Sequence, residues 1–391
     1  MNETPSGERI HIAFFGRRNV GKSSLMNAFT GQELSVVSDT AGTTTDAVYK
    51  AMELSPLGPV VLIDTPGLDD TGELGEKRIG KAKQAMRKTD IAIVTLQAGE
   101  PVGELEWELL AEFEGRKIPC LLVCNKADLL KEIPAGNEKT LWVSAETGFH
   151  IRELKERVAA LLPEDAAQRP LIEDLLSAGD TVVLVTPIDE GAPKGRLILP
   201  QQMMIRGILE AGALALVCKD TELKEAFQNL ASPPKLVITD SQVFDKVDRI
   251  VPESVPLTSF SILMARYKGD IGLLADGAAA AEGLQDGDKV LICEGCTHHR
   301  QCKDIGTVKL PDLIRRYTKV SPQFSFTSGT EFPTDVSSYK LVVHCGGCML
   351  NRREMQCRLA SCREQGVPVT NYGVLIAYLN GILERAMSFA E

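Results

Sequence analysis

The run Ile10-His11-Ile12-Ala13-Phe14-Phe15-Gly16-Arg17-Arg18-Asn19-Val20-Gly21-Lys22-Ser23-Ser24 decides the fold of the N-terminal part. An apolar, strand-like stretch ends at Phe15, and a helical pattern opens at Ser24. The residues between fit G-x-x-x-x-G-K-S/T, and strand, loop and helix in that order are the context in which such a loop wraps phosphates. Glycines let successive backbone N–H groups turn inward, and the helix N-terminus favours negative charge. Lys22 then places a point charge on the β and γ phosphates, and Ser23 offers a hydroxyl to Mg2+. The expected phosphate-binding set is Gly16, Asn19, Val20, Gly21, Lys22, Ser23 and Ser24.

Working outward, apolar runs at 60–63, 91–96, 120–123 and 141–143 alternate with helical patterns, the last of them the amphipathic 151–162. That alternation predicts a doubly wound α/β layer with a parallel sheet. Three further loops follow strands. Asp64-Thr65-Pro66-Gly67 puts a carboxylate near the metal and a glycine N–H near the γ-phosphate. Asn125-Lys126-Ala127-Asp128 places a carboxylate that can accept both N1–H and N2–H of guanine, which selects GTP over ATP. Ser144-Ala145-Glu146 closes the set around the base.

These residues resemble the TRAFAC-class GTPases, within them the tRNA-modification and ribosome-assembly group, over Glu8 to about Leu162. The resemblance implies that Thr44, in Gly42-Thr43-Thr44-Thr45-Asp46, makes the second Mg2+ contact, so that Lys22, Thr44, Asp64 and Gly67 form the catalytic set. It also implies that Asn19 coordinates K+. Where Ras-like proteins carry a water-orienting Gln, this chain has Leu68, so slow GTP hydrolysis assisted by a cation is expected.

At 391 residues the chain exceeds a single ordinary core. We expect a GTP-binding domain over 1–165, a small α/β domain over 177–259 and a third α/β domain over 260–391, with the proline-bounded 163–170 as linker. The composition, 44% hydrophobic and 25% charged, fits a globular protein. A net charge of -10 repels phosphate backbones, so no nucleic-acid partner is expected. The polar N-terminus and the lack of a long apolar run predict no signal peptide, no membrane span and a cytoplasmic protein.

Past the linker, strand runs at 181–187, 214–218 and 235–239 alternate with helical 201–213, 221–230 and 241–250. A helical, alanine-rich stretch begins near Phe260. Strands at 289–293, 340–344 and 367–371 then alternate with helices at 311–317, 351–362 and 374–387. Both segments predict parallel sheets with ligands at the carboxyl ends of strands.

Of the 10 cysteines, Cys120, Cys124 and Cys218 sit inside apolar runs and read as core. The other seven fall between Cys293 and Cys362. Cys293-x-x-Cys296 and Cys345-x-x-Cys348 read first as a four-thiolate zinc site. Against that, Cys293 ends an apolar run, and Cys296 and Cys345 each follow a strand, so adjacent parallel strands would join their loops at one sheet edge. Cys348 at the start of the following helix would complete three thiolates, a set that suits an iron-sulfur cluster with one reachable iron. His298 and His344 are further candidate ligands. So is Asp189, which precedes Glu190 in the loop after the first strand of the middle segment.

Cys296-x-His298 followed later by His344-Cys345-x-x-Cys348, together with the run 186–202, resembles the family of [FeFe]-hydrogenase maturation GTPases across the whole chain. That resemblance implies a [4Fe-4S] cluster on Cys296, Cys345 and Cys348 and carriage of a transient two-iron precursor of the H-cluster. It further implies the [FeFe]-hydrogenase and radical-SAM maturation enzymes as partners, and a homodimer formed by the middle domain. The alternative is a tRNA-modification or ribosome-assembly type GTPase with a zinc-binding C-terminal domain. The low aromatic content, 5%, and the acidic charge count against an RNA-stacking surface.

Overall fold

The computed structural model describes residues 4–31, 47–68, 73–134, 136–162, 170–188, 197–295, 304–329 and 331–390. The chain divides into two compact units, Met1–Gln168 and Arg169–Glu391.

In the first unit the elements are β1 (Ile10–Phe15), α1 (Lys22–Thr30), β2 (Val48–Leu54), β3 (Gly58–Asp64), α2 (Glu73–Lys88), β4 (Ile91–Gln97), α3 (Glu104–Gly115), β5 (Cys120–Asn125), β6 (Thr140–Trp142) and α4 (Ile151–Ala160). One sheet runs β2-β3-β1-β4-β5-β6. Successive strand residues face opposite sides. Ile12, Phe14, Leu62 and Val123 pack with Leu25 and Phe29 of α1, while Ala13, Phe15, Ile63 and Val94 pack with Met86 of α2 and Phe113 of α3. Burial on both faces is why these strands read as continuous apolar runs.

The sequence reading places no strand at β2, and it is the exception to the parallel rule, pairing antiparallel with β3. It lies at the sheet edge with only Leu54 buried, so no apolar pattern marks it. A short turn joins it to β3, and an antiparallel pair is the only one such a turn allows.

In the second unit the elements are β7 (Thr181–Val185), α5 (Leu199–Glu210), β8 (Leu214–Cys218), α6 (Leu223–Gln228), β9 (Leu236–Thr239), α7 (Phe244–Asp248), β10 (Leu257–Ser259), α8 (Phe260–Lys268), α9 (Ile271–Ala278), β11 (Lys289–Glu294), α10 (Leu310–Thr318), β12 (Gln323–Ser328), β13 (Leu341–His344), α11 (Arg352–Glu364), β14 (Val369–Asn371), α12 (Tyr372–Leu379) and α13 (Leu383–Met387). They build two four-stranded sheets, β10-β9-β7-β8 and β12-β11-β13-β14, with every neighbouring pair parallel.

The two sheets share one core, in which Val183, Val185 and Val237 join Val290, Ile292, Leu341 and Val343. Helix α8 links them by turning Ile262 and Ala265 into that core and Phe260, Leu263 and Met264 into a second one under β7 and β9. The side chain of Ser259 caps α8 by accepting the N–H of Ile262. An expected domain division at 259/260 therefore falls at the cap of a helix that serves both sheets.

Edge strands β10 and β12 escaped the sequence reading, one being three residues long and the other half-exposed. The single helix expected over 374–387 is two helices. Gly381, at φ 73°, takes the left-handed conformation that ends α12 and starts the turn into α13.

Candidate functional site

The phosphate loop lies between β1 and α1 at the carboxyl edge of the first sheet. Lys22 is buried, and its Nζ donates to the carbonyls of Gly16 at 3.1 Å and Arg17 at 2.6 Å. The ammonium thus lies over the loop that is to hold phosphate. Ser23 Oγ donates to Asp64 Oδ2, which puts a hydroxyl from α1 and a carboxylate from β3 side by side. Such a pair suits a hard divalent cation. A Cβ on Gly67 would come within 2.2 Å of Arg18 Cγ, so the loop after β3 lies against the phosphate loop only because Gly67 has no side chain. Leu68 packs against the apolar layer beneath. Thr44 lies outside the described residues.

The base-side loops are braced against each other. Asn125 ends β5, is buried, donates from Nδ2 to Val20 O at 3.0 Å and accepts the N–H of Ala145 on Oδ1 at 3.0 Å. Lys126 Nζ donates to Asn19 O and to Gln97 Oε1, both at 2.8 Å. Ser144 Oγ donates to Asp128 Oδ1, and Asp128 itself is exposed at the rim. Asn19 is exposed as well and takes a left-handed conformation, φ 60°.

A pair that the motif did not reveal holds the loop from the other side. Arg17 makes a fork to Glu106 of α3, Nε to Oε1 at 2.9 Å and Nη2 to Oε2 at 3.0 Å, with Glu106 buried. A bidentate geometry of this kind fixes direction as well as distance. No spacing rule links two residues this far apart.

At the carboxyl edge of the third sheet, β11 and β13 are parallel neighbours with Cys293 opposite His344. The loops after them meet as the sequence pattern implied. Cys345 N donates to Cys293 O at 2.9 Å, and Cys345 Sγ accepts backbone N–H groups from Gly295 at 3.0 Å and Gly347 at 3.3 Å. Gly347, at φ 63°, turns its N–H back toward the sulfur. Two donors aimed at one sulfur favour the thiolate, so this cradle fits a metal-bound cysteine.

Cys348 is half-buried. The helix after it begins at Arg352, capped by the side chain of Asn351, so Cys348 sits in the preceding turn and not at the helix start expected from sequence. An asparagine is the better cap, and Leu350 N closes the turn onto Gly347 O at 3.0 Å.

Cys296, His298, Cys302, Asp189 and Glu190 lie outside the described residues. Among the described residues no three His, Cys, Asp or Glu side chains converge as a metal-binding group.

Cys293 belongs to the apolar core, where burial pushes its thiol up to about 11. Cys362 lies in the same core, and burial with Cys293 beside it pushes its thiol up to about 12. A four-thiolate zinc site including Cys293 would have to pull that side chain out of the core.

His344, a candidate ligand by sequence, has both ring nitrogens engaged. Arg358 Nη1 lies 2.9 Å from Nε2, and a guanidinium only donates, so Nε2 accepts. Nδ1 then carries the hydrogen and donates to Cys345 O at 2.9 Å. Burial, and then the Arg358 charge, lowers the ring's pKa to about 3, which keeps it neutral. His344 is therefore a support for Cys345 and not a ligand: its place on the last position of β13, inside the sheet, decides this. Arg358 also donates to Glu354 Oε1 at 2.6 Å and to Gly329 O at 2.9 Å.

Three family profiles match the chain in series. These are a 50S ribosome-binding GTPase over residues 11–126, the hydrogen maturase F dimerization domain over 171–269 and the hydrogen maturase F tetramerization domain over 272–389. The tRNA modification GTPase MnmE of Bordetella petrii is 34% identical over 155 residues, 39% of this chain and 34% of that protein. GTPase Era of Carboxydothermus hydrogenoformans is 33% identical over 171 residues, 41% of this chain and 57% of that protein. The crystal structure of Aquifex aeolicus Era bound to GDP and aluminium fluoride matches at a TM-score of 0.36 and 21% identity, covering 54% of this chain and 92% of that one. The chain thus spans 34% and 57% of these two curated relatives.

Proposed function

The chain belongs to the hydrogen maturase F family, and from that premise we propose that it is a GTPase and iron-sulfur scaffold that carries the two-iron precursor of the H-cluster to [FeFe]-hydrogenase. The observation that carries this reading is the Cys345 sulfur, held by two backbone N–H groups where β11 and β13 end side by side.

In the first unit, Lys22 binds the β and γ phosphates, Ser23 and Thr44 hold Mg2+ with Asp64 beside them, and the Gly67 N–H faces the γ-phosphate. Asp128 reads guanine, with Asn125, Lys126, Ser144 and Ala145 shaping the base site. Preformed dipoles and charges of this kind act on the charge that develops during phosphoryl transfer. K+ held by Asn19 supplies positive charge between the β and γ phosphates. Because Leu68 offers no group to orient water, turnover is slow.

In the second unit, Cys296, Cys345 and Cys348 hold a [4Fe-4S] cluster, which supplies one iron open to a replaceable ligand such as Asp189 or His298. Soft thiolates restrict the choice to iron-sulfur or zinc. The two-iron precursor is cargo, and the radical-SAM maturation enzymes and the hydrogenase are its source and destination. The middle sheet forms a homodimer. No helix among the described residues is long and apolar enough to cross a membrane.

Anaerobic reconstitution with iron and sulfide tests the reading. The expected product is a reducible paramagnetic cluster that Cys→Ser at 296, 345 or 348 abolishes and Cys293→Ser retains. A tightly bound zinc that depends on Cys293 would instead support the RNA-acting GTPase alternative. In the same preparation GTP turnover should be faster in KCl than in NaCl, and equal rates would remove the K+ assignment to Asn19.

A further inference from the structure

Helix α8 ends in Lys268, which is buried, at 1% exposed. Its Nζ donates to three carbonyls of a single loop, Gly347 at 3.4 Å, Cys348 at 3.2 Å and Leu350 at 2.6 Å. The loop also rests on α8. A Cβ on Gly346 would meet Met264 Cβ at 3.4 Å, and Cys348 packs on the apolar core to which α8 contributes Phe260, Leu263 and Met264.

Packing alone does not call for an ammonium here. Its burial carries a desolvation cost, and a methionine of similar volume would fill the space. What a methionine cannot do is hold three carbonyl oxygens.

We propose that Lys268 is a positioning residue for the Cys345–Cys348 loop: its ammonium fixes the loop backbone in the shape that presents both sulfurs, and it brings a positive charge to that loop. The charge half of this rests on the cluster reading above, while the loop half does not. Thiolates bound to iron leave a net negative site, and reduction adds another negative charge. A fixed cation in a low-dielectric interior favours the reduced form, raising the potential. The family's dimerization domain ends at residue 269 and its tetramerization domain begins at 272. Lys268 therefore ties the cysteine loop of one domain to the last helical turn of the other.

The test is amide hydrogen exchange on the full-length, cluster-free protein, comparing the parent with Lys268→Met and Lys268→Arg. In Lys268→Met the peptide covering 345–351 should exchange about tenfold faster or more, the factor set by losing one hydrogen bond to a charged group. Peptides from β7 and β11 should keep the parent's protection. Unchanged exchange at 345–351 overturns the proposal. So does loss of protection in β7 and β11 together with the loop, because the side chain would then support the core. After reconstitution, the cluster's midpoint potential should be more negative in Lys268→Met than in the parent, with Lys268→Arg nearer the parent. Equal potentials in all three overturn the role of the charge. If the parent takes up no cluster, the scaffold reading fails, and the exchange result still decides the role of Lys268 in the loop.

Discussion

Single residues in this chain set the state of their neighbours through charge placed where water is excluded. Arg358 is the clearest case, 2% exposed and held between His344, Glu354, Gly329 and the ring of Phe332. It fixes the tautomer of His344, which in turn holds the carbonyl of Cys345. Removing it would break the buried Arg358–Glu354 pair from one side. Breaking a buried pair from one side typically costs about 3–5 kcal/mol, much more than an exposed pair is worth. Arg358→Met should therefore lower the stability of the second unit by that order in urea denaturation. The double variant Arg358→Met/Glu354→Gln should recover part of it, and a single-variant loss below about 1 kcal/mol would show the network to be dispensable. The motif spelled out His344 and Cys345 as neighbours but not their separate roles, because those depend on a helix packed against the strand.

Elements differ in how much of their placement the sequence shows. Strands buried on both faces, such as β1, β4 and β13, announce themselves as apolar runs, whereas β2 and β12 lie at edges where most residues are exposed or half-exposed, and β10, though buried, is only three residues long. The edge at β8 exposes apolar side chains. Strand β8 pairs only with β7 among the described residues, yet its Leu214 is 61% and its Val217 41% exposed, and Leu209 at the end of α5 is 59% exposed. An open edge with apolar side chains is a template for another strand. A second copy of the same edge is its expected partner. Leu214→Lys with Val217→Lys should turn a dimer into a monomer by light scattering at micromolar concentration, with the circular dichroism spectrum unchanged. A dimer that persists in the double variant would place the interface elsewhere.

At the scale of the whole molecule, the two compact units each own their cores. Residues 1–168 expressed alone should fold and bind GTP as the full chain does, and residues 169–391 should fold and keep the cysteine loop. A cut between Ser259 and Phe260 should not yield two folded products. It would separate α8 from β10 and open the core that Val183 and Val237 share with Val290 and Leu341. Cooperative thermal melts of 1–168 and 169–391, and no cooperative melt from 177–259 or 260–391, are the expected results. Independent folding of either short piece would contradict a shared core.

What the sequence determined by itself was everything carried by local pattern. The strand-loop-helix around Lys22, the loops at Asp64, Asn125 and Ser144, and the alternation that makes parallel sheets were all legible, since they need only neighbouring residues and the burial of both sheet faces. That the loops after β11 and β13 meet followed from the same logic. Tertiary structure alone decided that His344 is engaged on both nitrogens, that Asn351 and not Cys348 opens α11, and that Arg17 and Lys268 hold the phosphate loop and the cysteine loop. The physical reason is common to these cases. Each depends on which group from a distant segment arrives within hydrogen-bonding distance, and a buried polar group takes its role from that partner and not from its place in the chain.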